Sequence, residues 1–223
     1  MIFGWLEITV GSIALVIFLT LGFRGGRSWL DPTFWRNASI SSALVMTGVL
    51  LYLTFDSLKQ IGVGGGRVPA YTVINQQIDY VYDSEKRHYV PKIGETMGLM
   101  GKVWSAEEAE DLINRGKKVI QSRNCMGCHT LLGNGAYYAP DLTKAWLDPK
   151  WETMIMPLTG ATTKEEAMVK WLQRPDLAPT WTRRMPNLQL SEEEARALVA
   201  YLKFMSAIDT NGFPDHFGVS AGQ

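Results

Sequence analysis

The sequence predicts an all-α protein in which two N-terminal transmembrane helices precede a small helical domain with a β-hairpin insertion. Three observations predict this architecture. Two long apolar runs lie in the first 60 residues, three helix-capping patterns lie in the second half, and one short cysteine–histidine motif follows the first capped helix. We place a membrane anchor at residues 1–60, a linker and insertion at 61–104, and the helical domain at 105–223.

The first apolar run predicts a transmembrane helix over about residues 3–23. Met1 to Phe23 contains a single ionisable side chain, Glu7, which we place at the level of the lipid headgroups. A cleaved signal peptide is the alternative. Such peptides have a basic amino-terminal region and a small-residue cleavage pattern, and this run has neither before Arg24. We therefore expect a retained helix.

The second apolar run predicts a transmembrane helix over about residues 36–58. Ala38 to Phe55 contains no ionisable side chain, and its 18 residues of helix cover about 27 Å, close to the thickness of the hydrocarbon core. A buried helical hairpin of a soluble protein is the alternative. Two such runs in succession exceed what a small domain can cover, so we expect the lipid bilayer as a partner.

The charges between the two runs predict the orientation in the membrane. Arg24, Arg27 and Arg36 stand against Asp31 alone, and the positive-inside rule places such a loop in the cytoplasm. Both termini and the helical domain then lie on the opposite side. The whole chain has 22 basic and 22 acidic residues, and this net charge of zero argues against nucleic acid as a partner.

The segment between the anchor and the helical domain predicts a linker followed by a hairpin. Gly62 to Gly66 contains four glycines, which is typical of a flexible connection. From Tyr71 to Val90, β-branched and aromatic residues flank the polar turn at residues 83–86, which favours a β-hairpin.

Three capping boxes predict the helices of the second half. They begin at Ser105, Thr162 and Ser191, and each is followed by apolar residues at helical spacing. We expect the first helix to reach Asn124, the second to end before Pro175, and the third to reach Met205.

The motif Cys125-Met126-Gly127-Cys128-His129 predicts one covalently attached haem c. Each thiol can form a thioether with a haem vinyl group, and the adjacent imidazole can bind the iron. A thioredoxin-like redox pair would need a preceding strand, whereas a helix is predicted there. A zinc site would crowd three ligands into five residues without a fourth ligand at ordinary spacing. Because such haems are attached in the periplasm, we expect a bacterial inner-membrane protein with both termini and the haem domain on the periplasmic side.

The second axial ligand of the iron is predicted to be Met185. This methionine lies before Pro186 in a predicted loop, which can bend a thioether onto the iron, and a thioether ligand raises the reduction potential. Met154 and Met156 are the alternatives. His88 and His216, the other histidines, are interpreted as surface residues.

Four further residues are candidates for contact with the haem. Arg183 and Arg184 can pair with its propionates, although solvated surface charge explains them equally well. Tyr137 and Tyr138 can form a wall of the haem pocket, although ordinary aromatic packing also explains them, as it does Trp181.

The run from Cys125 to Trp146 resembles the cytochrome c subunit of bacterial nitric oxide reductase. Residues 183–188, the last predicted helix and the run Ile208-Asp209-Thr210-Asn211 are similar to the methionine loop and C-terminus of that family. The resemblance covers the second membrane helix and residues from about Ser105 to Pro214. Members of the family usually have one membrane helix and a short linker, so residues 1–30 and 64–104 inherit nothing from it.

The resemblance implies a non-catalytic electron-transfer subunit of an oxidoreductase complex. A soluble periplasmic donor, such as a cytochrome c or a cupredoxin, would reduce its haem. The electrons would pass to a large membrane subunit that holds haem b and a non-haem iron and converts two nitric oxide molecules into nitrous oxide and water. The resemblance further implies His129 and Met185 as axial ligands and Gly135 and Tyr137 as backbone ligands of an interface calcium ion.

Three other functions stay open at the level of sequence. The chain could serve as the electron-input cytochrome of a cbb3-type oxygen reductase, although the run from Gly135 to Asp141 favours the nitric oxide reductase family. A haem enzyme or gas sensor would need Met185 to be absent or displaceable. A mainly structural anchor with an incidental haem is the third.

Overall fold

The computed structural model describes residues 2–22, 31–177 and 184–214. The chain divides into two compact units, Met1–Ile61 and Gly62–Gln223. The first unit contains two helices, and the second combines helices with two antiparallel hairpins. The fold is therefore mostly helical.

The first unit consists of α1, Ile2–Gly22, and α2, Pro32–Ile61, which pack against each other. α2 begins about one turn before its predicted start because Asp31 and Pro32 form a helix-start signal. The Asp31 carboxylate accepts a hydrogen bond from the Thr33 amide at 2.9 Å. Proline is favoured in the first turn because that turn needs no N–H from it.

α2 is the one helix of the described residues that is long and apolar enough to cross a membrane. The apolar stretch Ile8–Thr20 of α1 is shorter. The second membrane span, predicted over residues 3–23, therefore stays a prediction.

The second unit begins with a hairpin of β1, Gln76–Asp83, and β2, His88–Thr96, in which Val81 lies opposite Val90. The Asp83 carboxylate accepts hydrogen bonds from the amides of Glu85 and Lys86 at 2.9 and 3.0 Å. These bonds close the polar turn that the sequence indicates.

The prediction that strand structure begins at Tyr71 is wrong, because Tyr71–Asn75 forms a 3-10 helix. Val73 and Ile74 are both buried. An extended strand would send two successive side chains to opposite faces of the hairpin, whereas a helical turn lets both enter the core.

Three helices form the centre of this unit: α3, Ala106–Ser122, α5, Lys164–Gln173, and α6, Glu192–Ser206. The capping boxes at Ser105 and Ser191 are confirmed, since each serine accepts a backbone hydrogen bond and the glutamate three positions later returns one. These two helices therefore begin where the sequence predicts.

The predicted cap of α5 is displaced by one residue. Thr163, not Thr162, caps the helix, because its hydroxyl accepts the amide of Glu166 at 3.2 Å. The Glu166 carboxylate accepts the Thr162 amide instead, at 2.9 Å. Two successive threonines, each followed three positions later by a glutamate, make the choice ambiguous in the sequence.

α3 and α6 cross at Gly116, where an added Cβ would overlap the Ala197 carbonyl oxygen. The rest of the unit is irregular. It contains 3-10 turns at Cys125–Gly127 and Ala145–Leu147, the short strands β3, Thr130–Leu131, and β4, Asn134–Gly135, a π-helical turn at Trp151–Ile155, and α4, Met156–Thr159.

One hydrophobic core unites the whole of this unit. Val73, Ile78 and Leu99, from the segment between the anchor and α3, belong to the same buried cluster as residues of α3 and α6. The cluster also contains Cys125. Cys125, the first residue of the haem motif, therefore packs in a core to which the hairpin segment, residues 71–104, also contributes.

Candidate haem site

The haem motif forms a single tight turn directly after α3. Asn124 adopts the left-handed conformation with φ 50°, and this reverses the chain out of the helix. The amides of Cys128 and His129 then donate to the Cys125 carbonyl at 3.2 and 3.0 Å. This turn brings both thiols and the imidazole onto one short piece of chain.

The imidazole of His129 is oriented by a backbone carbonyl. Its Nδ1 lies 2.7 Å from the carbonyl oxygen of Pro140. Because a carbonyl can only accept, Nδ1 donates and Nε2 is left as the nitrogen with a free lone pair. A metal-binding histidine needs this arrangement, since the second nitrogen fixes the ring and its tautomer.

The loop that carries Pro140 is closed on the motif by further backbone bonds. The Ala139 amide donates to the Cys128 carbonyl at 2.9 Å, and the Leu142 amide donates to the Thr130 carbonyl at 2.8 Å. The sequence did not single out Pro140. A proline eleven positions after the histidine was the available signal, but nothing in its side chain points to a bond made by its carbonyl.

Gly135 lies against the back of the motif. It has φ +126°, and an added Cβ would overlap the His129 carbonyl oxygen. Only glycine lets β4 approach the histidine backbone this closely. In the β3–β4 pair, Thr130 lies opposite Gly135. The residue after His129 is therefore part of this short hairpin.

The two cysteines fit covalent attachment of a haem. Both are free thiols; Cys125 is buried and Cys128 is half-buried. Burial raises the pKa of the Cys125 thiol. Within the described ranges, no group of three or more His, Cys, Asp or Glu side chains is placed to hold a metal ion.

Met185 lies in a segment without regular secondary structure, residues 184–190, and is half-buried against the hydrophobic core. Met154 lies in the π-helical turn and Met156 begins α4, and both are half-buried as well. Met168 and Met205 are buried in the hydrophobic core.

His88, interpreted as a surface residue rather than a ligand, is only partly exposed. Its side chain is 23% exposed and its Nδ1 lies 2.9 Å from the Lys86 carbonyl oxygen. The ring packs against Gly212, at which a Cβ would approach the His88 Cβ to 2.7 Å. The C-terminal segment, which the sequence could not place beside the hairpin, covers this ring.

The remaining candidates are exposed or lie outside the described residues. Tyr137 is 83% exposed, and its hydroxyl donates to the Gly133 carbonyl at 3.0 Å. Tyr138 and Arg184 are exposed as well. Arg183, Trp181 and His216 lie outside the described residues.

A buried lysine, Lys144, escaped the sequence interpretation. The Lys144 ammonium donates to the carbonyl oxygens of Ser206 and Ile208 at 3.2 and 2.6 Å, and it lies 5.2 Å from the centre of the Tyr80 ring. Burial lowers the pKa of Lys144 to about 8. This side chain ties the motif loop to the end of α6 and to the hairpin.

Comparison of the amino-acid sequence with known proteins identifies a family that it resembles. A family model of cytochrome c matches residues 113–206, which include the motif and all of α6. The C subunit of nitric oxide reductase from Stutzerimonas stutzeri is 36% identical over 107 residues, which are 48% of this chain and 67% of that protein.

Two further proteins of the same description are similar to this chain. The C subunit of nitric oxide reductase from Halomonas halodenitrificans is 25% identical over 122 residues, 53% of this chain and 75% of that protein. The corresponding protein of Cereibacter sphaeroides is 30% identical over 104 residues, 47% of this chain and 67% of that protein. About half of this chain is therefore shared with these relatives, and a cytochrome c domain indicates haem c as its cofactor.

Proposed function

This chain belongs to the family of nitric oxide reductase C subunits, and from that premise we propose that it carries electrons to a large catalytic membrane subunit. A soluble periplasmic cytochrome c or cupredoxin reduces its haem. The large subunit, with haem b and a non-haem iron, uses two electrons and two protons to convert two nitric oxide molecules into nitrous oxide and water. This chain supplies the electrons and takes no part in forming the N–N bond.

The observation that carries this proposal is the hydrogen bond between His129 Nδ1 and the Pro140 carbonyl, at 2.7 Å. It holds the imidazole in one tautomer and one orientation, with Nε2 free for iron. A carrier benefits from such a rigid ligand because little has to rearrange when the iron changes its charge.

Cys125 and Cys128 are proposed to attach the haem, and His129 and Met185 to bind its iron. The haem supplies a one-electron couple, and a thioether ligand raises its reduction potential. The half-buried position of Met185 against the core supports this role, because a ligand anchored at the core is hard to displace. Two sets of neighbours complete the proposed site: Arg183 and Arg184 at the propionates, and Tyr137 and Tyr138 at the haem wall.

The membrane anchor is proposed to span residues 1–60, with helices at about 3–23 and 36–58. The length and apolar composition of α2 support the second of these spans. The arginines between the two helices support a cytoplasmic loop, with both termini and the haem domain, residues 105–223, in the periplasm. The protein would then lie in the bacterial inner membrane with its haem on the side where soluble donors diffuse.

A calcium ion is proposed at the boundary with the large subunit, bound by the backbone carbonyls of Gly135 and Tyr137. Both residues are exposed, so a partner could complete the site. Calcium prefers six to eight oxygen ligands, and two carbonyls from this chain can only be part of its shell.

The test is to purify the full chain from its native membrane in detergent, together with the large membrane protein that accompanies it. The complex should consume nitric oxide when a reduced soluble cytochrome c is added. A Cys125→Ser and Cys128→Ser double variant should lose this donor-driven activity while the partner still copurifies. Met126→Leu, which keeps the spacing of the motif, is the matched control.

Two outcomes would contradict the proposal. Consumption of oxygen without consumption of nitric oxide would identify the complex as an oxygen reductase instead. Full donor-driven activity in the double cysteine variant would show that electrons reach the large subunit without this haem.

A further inference from the structure

A cleft of about 900 Å³ opens between the β1–β2 hairpin, α5 and α6, and no residue of the haem motif lines it. Its wall includes Gly98, Trp146, Lys164, Glu165 and Lys203. The volume is within the range of ligand-binding sites, about 300–1,000 Å³. The cleft exists only because the hairpin segment packs on this side of the helices.

Lys203 is the most deeply buried cation of the cleft, with 2% of its surface exposed. Its ammonium donates one hydrogen bond, to the Gly98 carbonyl at 3.5 Å, the outer limit for such a bond. It lies 4.9 Å from the centre of the Trp146 ring. An ammonium has three donors, and Lys203 makes no ion pair with the described residues.

Lys164 approaches the same tryptophan. Its ammonium lies 4.5 Å from the centre of the Trp146 ring, and its nearest ion-pair partner, Glu152, is 3.7 Å away with a side chain that is 63% exposed. Burial lowers the pKa of Lys203 to about 8 and also lowers the pKa of Lys164. Two partly desolvated positive charges therefore face one ring.

The other cations of the cleft already have close carboxylates. Lys170 pairs with Glu166 at 2.6 Å and Arg196 pairs with Glu192 at 3.2 Å, each within its own helix. The carboxylate of Glu165 attracts the positive charges of Lys164 and Lys203 and partly offsets the lowering of their pKa values. It forms no ion pair with either lysine among the described residues. The lining as a whole holds five carboxylates, Asp79 among them, and four cations. Among the described residues, however, no carboxylate lies within 3.5 Å of the Lys164 or Lys203 ammonium beside Trp146.

We propose that this cleft binds a phosphate-type oxyanion between Lys164 and Lys203. The anion would accept the unused ammonium hydrogens and relieve the repulsion between the two lysines. The amino end of α5, at Thr163 to Glu166, also lines the cleft, and the positive end of a helix dipole favours an anion. The source of the group is either free phosphate or the headgroup of a phospholipid. The site does not depend on the haem or on the proposed electron transfer.

The test uses the full chain with its haem in detergent, titrated with inorganic phosphate at constant ionic strength with chloride as the balancing ion. Phosphate should raise Tm, because a ligand that binds only the folded state stabilises it, and calorimetry should give a saturable Kd. Lys203→Gln and Lys164→Gln should each weaken phosphate binding at least tenfold. Lys117→Gln is the matched control, since Lys117 is exposed on α3 outside the cleft.

A second arm replaces phosphate with glycerol 3-phosphate, the soluble part of a phospholipid headgroup. Tighter binding of this compound identifies a lipid headgroup as the source, and equal or weaker binding identifies free phosphate. The proposal is overturned if neither compound changes Tm beyond the chloride control, or if both glutamine variants keep the phosphate affinity of the native chain. Since Lys164 is less buried than Lys203, its variant keeps the test decisive should Lys203→Gln fail to fold.

Discussion

The motif segment, residues 124–142, and the hairpin segment, residues 71–104, pack in the same unit but differ in the range of the polar contacts that position them. The motif segment is held by its own neighbours. His129 forms hydrogen bonds with the carbonyls of Cys125 and Pro140, and the Leu142 amide donates to the Thr130 carbonyl. The two residues in each of these bonds lie within 12 positions of each other along the chain.

The hairpin segment is held by residues far away in the sequence. Lys86 pairs with Asp209 at 3.0 Å, Lys203 donates to Gly98, and the Lys144 ammonium lies over the Tyr80 ring. Local bonds shape both segments, since the β1–β2 ladder and the Asp83 turn form the hairpin. The comparison teaches that local bonds suffice to orient His129, whereas the position of the hairpin on the helices depends on residues that are distant in sequence.

The largest expected effect concerns Met185, the proposed iron ligand outside the motif segment. Met185→Ala should abolish the methionine-to-iron charge-transfer band of the oxidised protein, lower the reduction potential and let carbon monoxide bind the ferrous haem. Visible and near-infrared spectra with and without carbon monoxide measure this. Met156→Ala should change none of them. If the band persists in Met185→Ala and disappears in Met154→Ala or Met156→Ala, the iron ligand is Met154 or Met156 instead of Met185.

The next effect concerns the helix crossing on which both segments rest. Gly116→Val should lower the free energy of unfolding by at least about 2 kcal/mol, because the side chain would force α3 away from the Ala197 carbonyl. Denaturant unfolding followed by haem absorbance measures it. Gly66→Ala is the control, since nothing lies within 4 Å of a Cβ there. Equal stability of the two variants would contradict the close crossing.

A smaller effect is expected from the buried lysine that joins the two segments. The pKa of Lys144 in the folded state is about 8, below its ordinary value of 10.5, so above pH 8 the unfolded chain binds more protons than the folded one. Folding stability should therefore rise with pH in this window, by about 1.5 kcal/mol between pH 8 and pH 9.5 from this group.

Lys144→Met should remove this contribution, and Lys117→Met should leave it in place. The measurement is the unfolding free energy of the native chain and of each variant at pH 7.5 and pH 9.5. A Lys144→Met variant with the same pH dependence as the native chain would mean that Lys144 is not desolvated in solution.

The smallest effect is expected from the surface end of the hairpin. Lys86→Ala should cost about 0.5 kcal/mol of unfolding free energy, because its pair with Asp209 is partly exposed and screened by water. Lys92→Ala is the control on the same hairpin, since Lys92 makes no ion pair among the described residues. A loss above about 2 kcal/mol from Lys86→Ala would show that this single contact holds the hairpin.

Local chemistry explains which parts of the fold could be predicted. The caps at Ser105 and Ser191 are encoded within four residues and were located correctly, whereas the cap of α5 was displaced because Thr162 and Thr163 present the same pattern. Tyr71–Asn75 was mistaken for strand because β-branched residues indicate burial as well as extended structure.

The residues of the candidate haem site show the same difference between features encoded locally and features that depend on distant contacts. Cys125, Cys128 and His129 were predicted from side-chain type and spacing. Pro140 was missed because a backbone carbonyl leaves no trace in the sequence, and Lys144 was missed because a buried lysine cannot be told from an exposed one until its surroundings are known.

The sequence by itself determined the haem motif, the capped helices and the apolar character of the anchor, since each depends on residues that are neighbours along the chain. Only the tertiary structure decided that the hairpin segment shares the core of α3 and α6, and that Lys144 and Lys203 lie buried beside it. The physical reason is that burial and long-range hydrogen bonds depend on which distant residues meet. The cleft beside Trp146 is formed by residues that are distant in sequence, whereas the turn that contains His129 is formed by hydrogen bonds between near neighbours.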